Sequence, residues 1–305
     1  MSASGPLERR VEIGRYVEAA PDGALDHVGV GVKDLGRAAR AYERLGFTLS
    51  PFARHAGAAE PGGAPVTLGT ANRCAILERG YIELIAVVDP SRPARGLDRL
   101  IARHEGLHIA AFSCDEPRAT SERLARSGFG ARGTQYLERR VDSVDGPGLA
   151  RFERVPVEPG DMPEGVIFYI QHLTPELVWQ PGLTRHPNRA TALMEVMILV
   201  ANMSEAKERY ARFFDLTPDR RGGTRVFNLP RGRVALVDGS SAGDELPGVA
   251  LPPPPAIVAF TVASPALDET GRLLESNRVA FARRDGRLVV SPRRACGACC
   301  IFEPA

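Results

Sequence analysis

Apolar and polar positions alternate with a period of two along residues 25–32, LDHVGVGV. Side chains on a strand point to alternate faces, so Val28, Val30 and Val32 share one face and His27, Gly29 and Gly31 share the other. The valine face suits packing on a helix. The opposite face has nothing to pack at its two glycines and leaves open space beside an imidazole. The period then changes. In KDLGRAARAYERLGF (33–47) apolar residues recur three to four apart, which predicts an amphipathic helix with a Gly-Phe stop.

The same phrase recurs three times. LHIAAFSCDEPRATSERLARSGF (107–129) repeats it, with Pro117 near the helix start, where proline is tolerated. LMEVMILVANMSEAKERYARFFDL (193–216) is a third copy, with Asn202 or Ser204 as N-cap. AIVAFTVASPALDETGRLLESNRV (256–279) is a fourth, capped at Ser264 with Pro265 behind it. Strand-like runs follow each helix, for example NRCAILERG and YIELIAVVD (72–80, 81–89) in the first copy and LARFERVPV and GVIFYIQHL (149–157, 165–173) in the second. Each copy therefore reads as a βαβββ unit, and units repeated in fixed order are expected to stack on one another. The run LPPPPA (251–256) is a stiff connector. The loop RHPNRATA (185–192) places a domain boundary near residue 190. The expected organisation is an N-terminal extension (1–23), a first domain over 24–184 with modules at 24–89 and 106–180, and a second over 190–305 holding a degenerate pair.

Composition narrows the function classes. The 305 residues are 44% apolar and 25% charged, ordinary for a soluble globular protein. With 39 basic and 37 acidic residues there is no large field, so neither nucleic acid nor an anionic membrane is implied as partner. Nearly every basic residue is Arg, with Lys only at Lys33 and Lys207, as in a GC-rich bacterial coding sequence. No run approaches a membrane span, and the N-terminus lacks the apolar centre of a secretory signal, so a cytoplasmic location is expected. Five cysteines without paired spacing fit a reducing compartment. CGACC (296–300) holds one CxxC, but no second pair completes a zinc site, and the cysteines are expected to be buried in a strand, as are Cys74 and Cys114. No GxGxxG, Walker loop, GxSxG or HExxH supports nucleotide or hydrolase chemistry.

Repeated βαβββ units opening LDHVGVGV and closing YIEL resemble the vicinal oxygen chelate superfamily, and within it the glyoxalase-like domain proteins. LDHVGVGVKDLGRAARAYERLGF, LGTANRC (68–74) and GYIELIAV (80–87) carry the resemblance. It implies an α+β fold in which four βαβββ modules form two cupped mixed β-sheet domains, each sheet a cup for a divalent metal. Ligands would come from the first and last strands of each module. By that resemblance His27 is a metal ligand, and Gly29 and Gly31 leave room for substrate. His108 stands at the matching place in the second module, and Glu83 on the last strand of the first. Two imidazoles and a carboxylate are the donors of open metal sites. Aligning YIE (81–83) with YIQ (169–171) makes Gln171 the fourth ligand, with His172 as the alternative if a bulge swaps their faces and Glu176, in TPEL after Pro175, as a third candidate. Asn72 is a candidate substrate contact. In the third and fourth copies the histidine position holds Glu195 and Ala256, so any metal site is expected in the N-terminal half, and Glu195 reads as a surface residue at a strand end. His55 reads as a solvent histidine beside a Gly/Pro/Ala-rich loop (56–66). Trp179 is expected to pack between domains or to wall the cup.

The implied function is a metal-dependent enzyme of glyoxalase type, an isomerase or lyase working on a small oxygen-rich substrate by Lewis-acid chemistry, with Glu83 as proton carrier. Zn, Ni, Mn and Fe(II) all suit the donors. Two alternatives stay open: an Fe(II)-dependent ring-cleaving dioxygenase, and a non-catalytic protein that sequesters small molecules. The partner is a small molecule, and the chain is a monomer or homodimer.

Overall fold

The structure, a computed structural model, describes residues 20–58, 63–131, 133–143 and 146–305. Most of the expected N-terminal extension, 1–19, lies outside the described residues. The first module runs β1 (Leu25–Gly31), α1 (Leu35–Arg44), β2 (Ala53–Ala58), β3 (Pro65–Ile76) and β4 (Tyr81–Val87). A short helix, α2 (Leu97–Arg103), leads to the second: β5 (Gly106–Ser113), α3 (Pro117–Arg126), β6 (Gln135–Ser143), β7 (Gly146–Pro156) and β8 (Val166–His172). The third holds β9 (Ala192–Leu199), α4 (Met203–Phe214), β10 (Asp219–Arg221), β11 (Thr224–Asn228) and β12 (Arg233–Val237). After α5 (Gly239–Glu245) the fourth follows as β13 (Ala256–Ser264), α6 (Leu267–Ser276), β14 (Ala282–Arg284), β15 (Arg287–Val290) and β16 (Cys299–Pro304). The fold is α+β, with four βαβββ modules in two mixed sheets.

The helix caps follow from local chemistry. Asp34 caps α1 by accepting from the Arg37 amide at 2.9 Å. Of the two expected caps of α4, Asn202 is the one that accepts, from the Ser204 and Glu205 amides. Helix α6 starts later than expected. Its N-cap is Ala266, and Ser264 instead lies 2.8 Å from the Thr270 hydroxyl.

Eight strands close the first sheet into a barrel in the order β1-β4-β3-β2-β6-β7-β8-β5. The second sheet has the same internal order, β10-β11-β12-β9-β13-β16-β15-β14, but stays open. Strand length decides the difference. In the barrel β2, β3, β6 and β7 span 6, 12, 9 and 11 residues, long enough for β2 to pair with β6 and seal the wall. Their counterparts β10 and β14 have three residues each and end as short free edges, a harmless way to leave a sheet unclosed. Closure matters for function because the β2–β6 seam brings His55 against Arg139.

The valine face of β1 packs as expected. Val28, Val30 and Val32 join Tyr42 and Leu45 of the first helical segment in one large core that also holds Tyr210, Phe213 and Phe260 from the second half. Across this core Tyr42 Oη donates to the Ala295 carbonyl, Tyr169 Oη to that of Phe213, and Phe47 stacks on Phe302. A separate core fills the barrel, from Tyr81, Ile109, Phe152, Phe168 and Ile170 among others. All five cysteines are free and buried. No helix among the described residues is long and apolar enough to cross a membrane.

Candidate functional site

The barrel encloses a cavity of about 130 Å³. Its walls are apolar at Ile109, Phe152, Phe168 and Ile170, and polar at His27, His55, Asn72, Glu83, Arg95, Arg139 and Arg154. Its size suits a small molecule, being below the ~300–1,000 Å³ of typical drug-sized sites.

His27 is placed by an irregularity in β1. The β1–β5 register slips between Leu25 and His27, leaving Asp26 as an extra residue. A bulge turns consecutive side chains toward one another. Asp26 is fully buried and accepts from His27 Nδ1 at 2.7 Å and from His172 Nε2 at 3.1 Å. Burial alone would raise the Asp26 carboxyl; the charges and hydrogen bonds of His172 and His27 outweigh it and hold the carboxyl below the usual range. A carboxylate only accepts, so Nδ1 of His27 carries a proton and Nε2 is the ring nitrogen left free of Asp26. The ring stacks on Tyr81, centroids 4.3 Å apart.

Glu83 lies two residues beyond Tyr81 on the neighbouring strand, with Gly29 as its partner in β1. Asn72 Nδ2 donates to its Oε1 at 2.6 Å, and His55 Nε2 stands 3.5 Å from the same oxygen. His55 is therefore a cavity residue and not the solvent histidine its sequence context suggests. Burial pushes its pKa down to about 4, Arg139 and Arg95 push the same way, and Glu83 opposes them. It is neutral at pH 7, with Nδ1 2.8 Å from the Thr70 hydroxyl. Asn72 Oδ1 is buried with no hydrogen-bond partner among the described residues.

The remaining expected ligands are placed elsewhere. Strands β1 and β5 pair His27 with Ala111 and Gly29 with Ile109, a local two-fold relation that sets Ile109 where His27 stands. Across to the next strands His27 pairs with Tyr81 and Ile109 with Val166, so the counterpart of Glu83 is Phe168. His108 is the bulged residue of β5, matching Asp26 rather than His27. Its Nε2 lies 2.8 Å from the His104 carbonyl, it packs against Gly31 and Ile101, and burial pushes its pKa down to about 4. It does not line the cavity. Gln171 alternates with the inward Ile170 and donates to the Asp115 carbonyl at 2.6 Å. His172 stays inside the barrel but reaches Asp26, flanked by Trp179, whose Nε1 donates to the Leu77 carbonyl.

Among the described residues no three His, Cys, Asp or Glu side chains are grouped to hold a metal ion. Two of the four ligand positions the resemblance implies are filled by Ile109 and Phe168. These residues do not fit a three- or four-ligand metal centre. The glycines of β1 also have another reason. A Cβ on Gly29 would stand 2.7 Å from Ile109 Cβ, and one on Gly31 2.8 Å from His108 Cδ2, so both admit β5 rather than substrate.

In the second sheet the same relation makes Ala259, not Ala256, the counterpart of Glu195. Glu195 is fully buried rather than superficial, and Arg233 holds it by an Nε donor 2.5 Å away.

Sequence reasoning misses Asp26, His55 and the three arginines. Asp26 is hidden by a bulge. The arginines are hidden by a composition in which Arg is the usual cation.

A glyoxalase-like domain family matches residues 25–214. No curated protein matches the chain. Solved structures share the fold at low identity. A hypothetical protein from Staphylococcus aureus is 14% identical with a TM-score of 0.59, over 92% of this chain and 99% of that one. A variant of 4-hydroxymandelate synthase from Streptomyces coelicolor is 13% identical with a TM-score of 0.55, over 93% and 92%. A fusion of a xylose isomerase-like TIM barrel with a 4-hydroxyphenylpyruvate dioxygenase is 10% identical with a TM-score of 0.52, over 93% of this chain but 49% of that one. The family match extends over more than half of the sequence, and the protein belongs to the glyoxalase-like domain family of the vicinal oxygen chelate superfamily.

Proposed function

We propose that the barrel is the active site of an enzyme that moves a proton on a small, oxygen-rich substrate, the isomerase or lyase chemistry of glyoxalase type. The observation that carries this reading is the buried Asp26 carboxylate bonded to His27, whose ring lines the cavity of the barrel. A buried carboxylate that fixes the tautomer and orientation of an imidazole is the arrangement of a general base. Nε2 of His27 takes a proton from carbon next to a carbonyl. The imidazolium that results is stabilised by Asp26, and the proton is returned to the neighbouring atom. Glu83, held by Asn72 on the adjacent strand, is the second proton carrier. A divalent metal of the kind the superfamily uses, whether Zn, Ni, Mn or Fe(II), would find His27 and Glu83 but not the other two ligands, and the proton transfer is carried by the side chains themselves.

A second reading, binding without catalysis, is favoured by Ile109 and Phe168 at two of the ligand positions. Hydrogen exchange separates the two. Small α-keto acids, α-hydroxy acids and neutral enolisable ketones are incubated with the protein in heavy water, and deuterium at carbon is read by mass spectrometry. The enzymatic reading expects exchange in at least one class, lost in His27→Ala. Binding without exchange across all classes would replace it with the second reading.

A further inference from the structure

Three arginines line the cavity with few partners of their own. Arg139 on β6 is 6% exposed; its Nη1 meets only the Cys74 sulfur at 3.3 Å, and its Nε is buried with no acceptor among the described residues. Arg95 donates from Nη2 to the Ala58 carbonyl, and its Nε is likewise buried without an acceptor among the described residues. Arg154 on β7 donates from Nε and Nη2 to one neutral oxygen, Gln135 Oε1, at 2.9 and 2.7 Å. Among the described residues none of the three forms an ion pair with a carboxylate. Burial, with Arg95 nearby, pulls the Arg154 pKa down to about 9. Glu83 acts on Arg139 through space, but guanidinium groups that are largely withdrawn from water without a direct ion pair are costly, and unsatisfied N–H groups at a cavity are costly again. Both costs fall when an anion enters.

The barrel order fixes which way an anion would face. β6 stands four strands from β1 and β7 four strands from β4, so each pair is diametrically opposed in an eight-membered ring. Arg139 thus faces the wall of His27, and Arg154 the wall of Glu83. Apolar Phe152 and Phe168 lie under the guanidiniums of Arg139 and Arg154, 5.5 and 5.4 Å from the charged carbons. Three guanidiniums and two carboxylates, Glu83 and Glu138, line the cavity, an excess of one positive charge among its arginines and acids.

We propose that Arg95, Arg139 and Arg154 form an anion-recognition cluster that takes the carboxylate or phosphate end of a small substrate and turns its reacting carbon toward His27. The proposal rests on the barrel being the substrate site. It names the substrate class as a small organic oxyanion. It makes the three arginines binding and orienting residues.

Benzoate, phenylphosphonate and benzamide test it, since they share a ring and differ in charge. Binding is read by calorimetry and by the fluorescence of Trp179, the sole tryptophan. Benzoate or phenylphosphonate is expected to bind roughly ten- to a hundredfold more tightly than benzamide, the range of charge-assisted hydrogen bonds. Which of the two binds better separates a carboxylate from a phosphate substrate. Arg154→Gln and Arg139→Met are expected to reduce anion affinity toward that of benzamide, while His27→Ala keeps the preference. Equal affinity for benzamide, an anion preference that survives both arginine variants, or no binding of any probe overturns the proposal. If Arg139→Met does not fold, the comparison of probes on the parent protein and on Arg154→Gln decides it. An anion preference in a protein that exchanges no deuterium keeps the arginine cluster and removes the enzymatic reading. Exchange on neutral ketones without an anion preference does the reverse.

Discussion

Asp26 serves two histidines at once, and that sharing sets what its replacement does. Its oxygens meet His27 Nδ1 and His172 Nε2 inside the barrel. Asp26→Asn keeps the shape but puts an NH2 donor group where a carboxylate only accepts, which drives His27 toward the wrong tautomer. We expect the deuterium-exchange rate to fall by about 10²–10⁴, as when an orienting carboxylate is lost from a histidine base, with affinity for benzoate little changed. Exchange at the parent rate would show that Asp26 does not orient the base. At this scale the sequence is legible in part. His27, Glu83 and Asn72 line the cavity, and their residue types on strands of the first module are enough to suggest chemistry. Asp26 is invisible because strict alternation puts it on the other face of β1. The arginines are invisible because Arg is the general surface cation of this chain.

Bulges account for the remaining differences at the scale of the strand. β1 and β5 each carry one extra residue at matching places, Asp26 and His108. A slip of one residue moves a side chain to a different neighbour. The histidine of LHIAAF thereby loses its equivalence to the histidine of LDHVGVGV, and Ile109 takes that place. Periods of two and 3.6 survive such insertions, which is why all four modules are legible from pattern alone while the ligand set is not. The two readings of His108 differ in what its removal does. We expect His108→Ala to leave benzoate affinity and deuterium exchange within about twofold of the parent. Stability should fall by ~1–3 kcal/mol, from the hydrogen bond to the His104 carbonyl and the contact with Ile101. Chemical denaturation beside the exchange assay measures both. Loss of exchange in a folded His108→Ala protein would restore His108 to the site.

The two sheets share one core, so the molecule is expected to respond to acid as a unit. Tyr42, Phe47 and Tyr169 of the first half touch Ala295, Phe302 and Phe213 of the second, and a boundary near residue 190 crosses this core rather than a solvent gap. Within that unit burial lowers the pKa of His55 and of His108 to about 4, and lowers His104 and His186 as well. Glu83, Arg139 and Arg95 are the charged groups around His55, and His104 and Arg103 those around His108. An unfolded histidine titrates near 6.5. Between pH 6.5 and about 4 the unfolded chain therefore binds more protons than the folded one, and stability falls as pH drops through that window. His55 alone carries ~3 kcal/mol of the loss. The depressed Asp26 carboxyl acts lower still. Its contribution is present above about 3.9, the value of an unfolded aspartate, and is lost only as pH falls through its folded value. Calorimetric scans at pH 7.5, 6.0 and 4.5 are expected to show one cooperative transition whose midpoint drops steeply below pH 6.5. His55→Gln should start from a lower midpoint at pH 7.5 but lose less on acidification, because the group that must stay neutral is gone. A midpoint flat from pH 6.5 to 4.5 would mean that the buried histidines are not held neutral by the barrel. A scan that splits into two transitions would mean that the halves do not share the core as one cooperative unit.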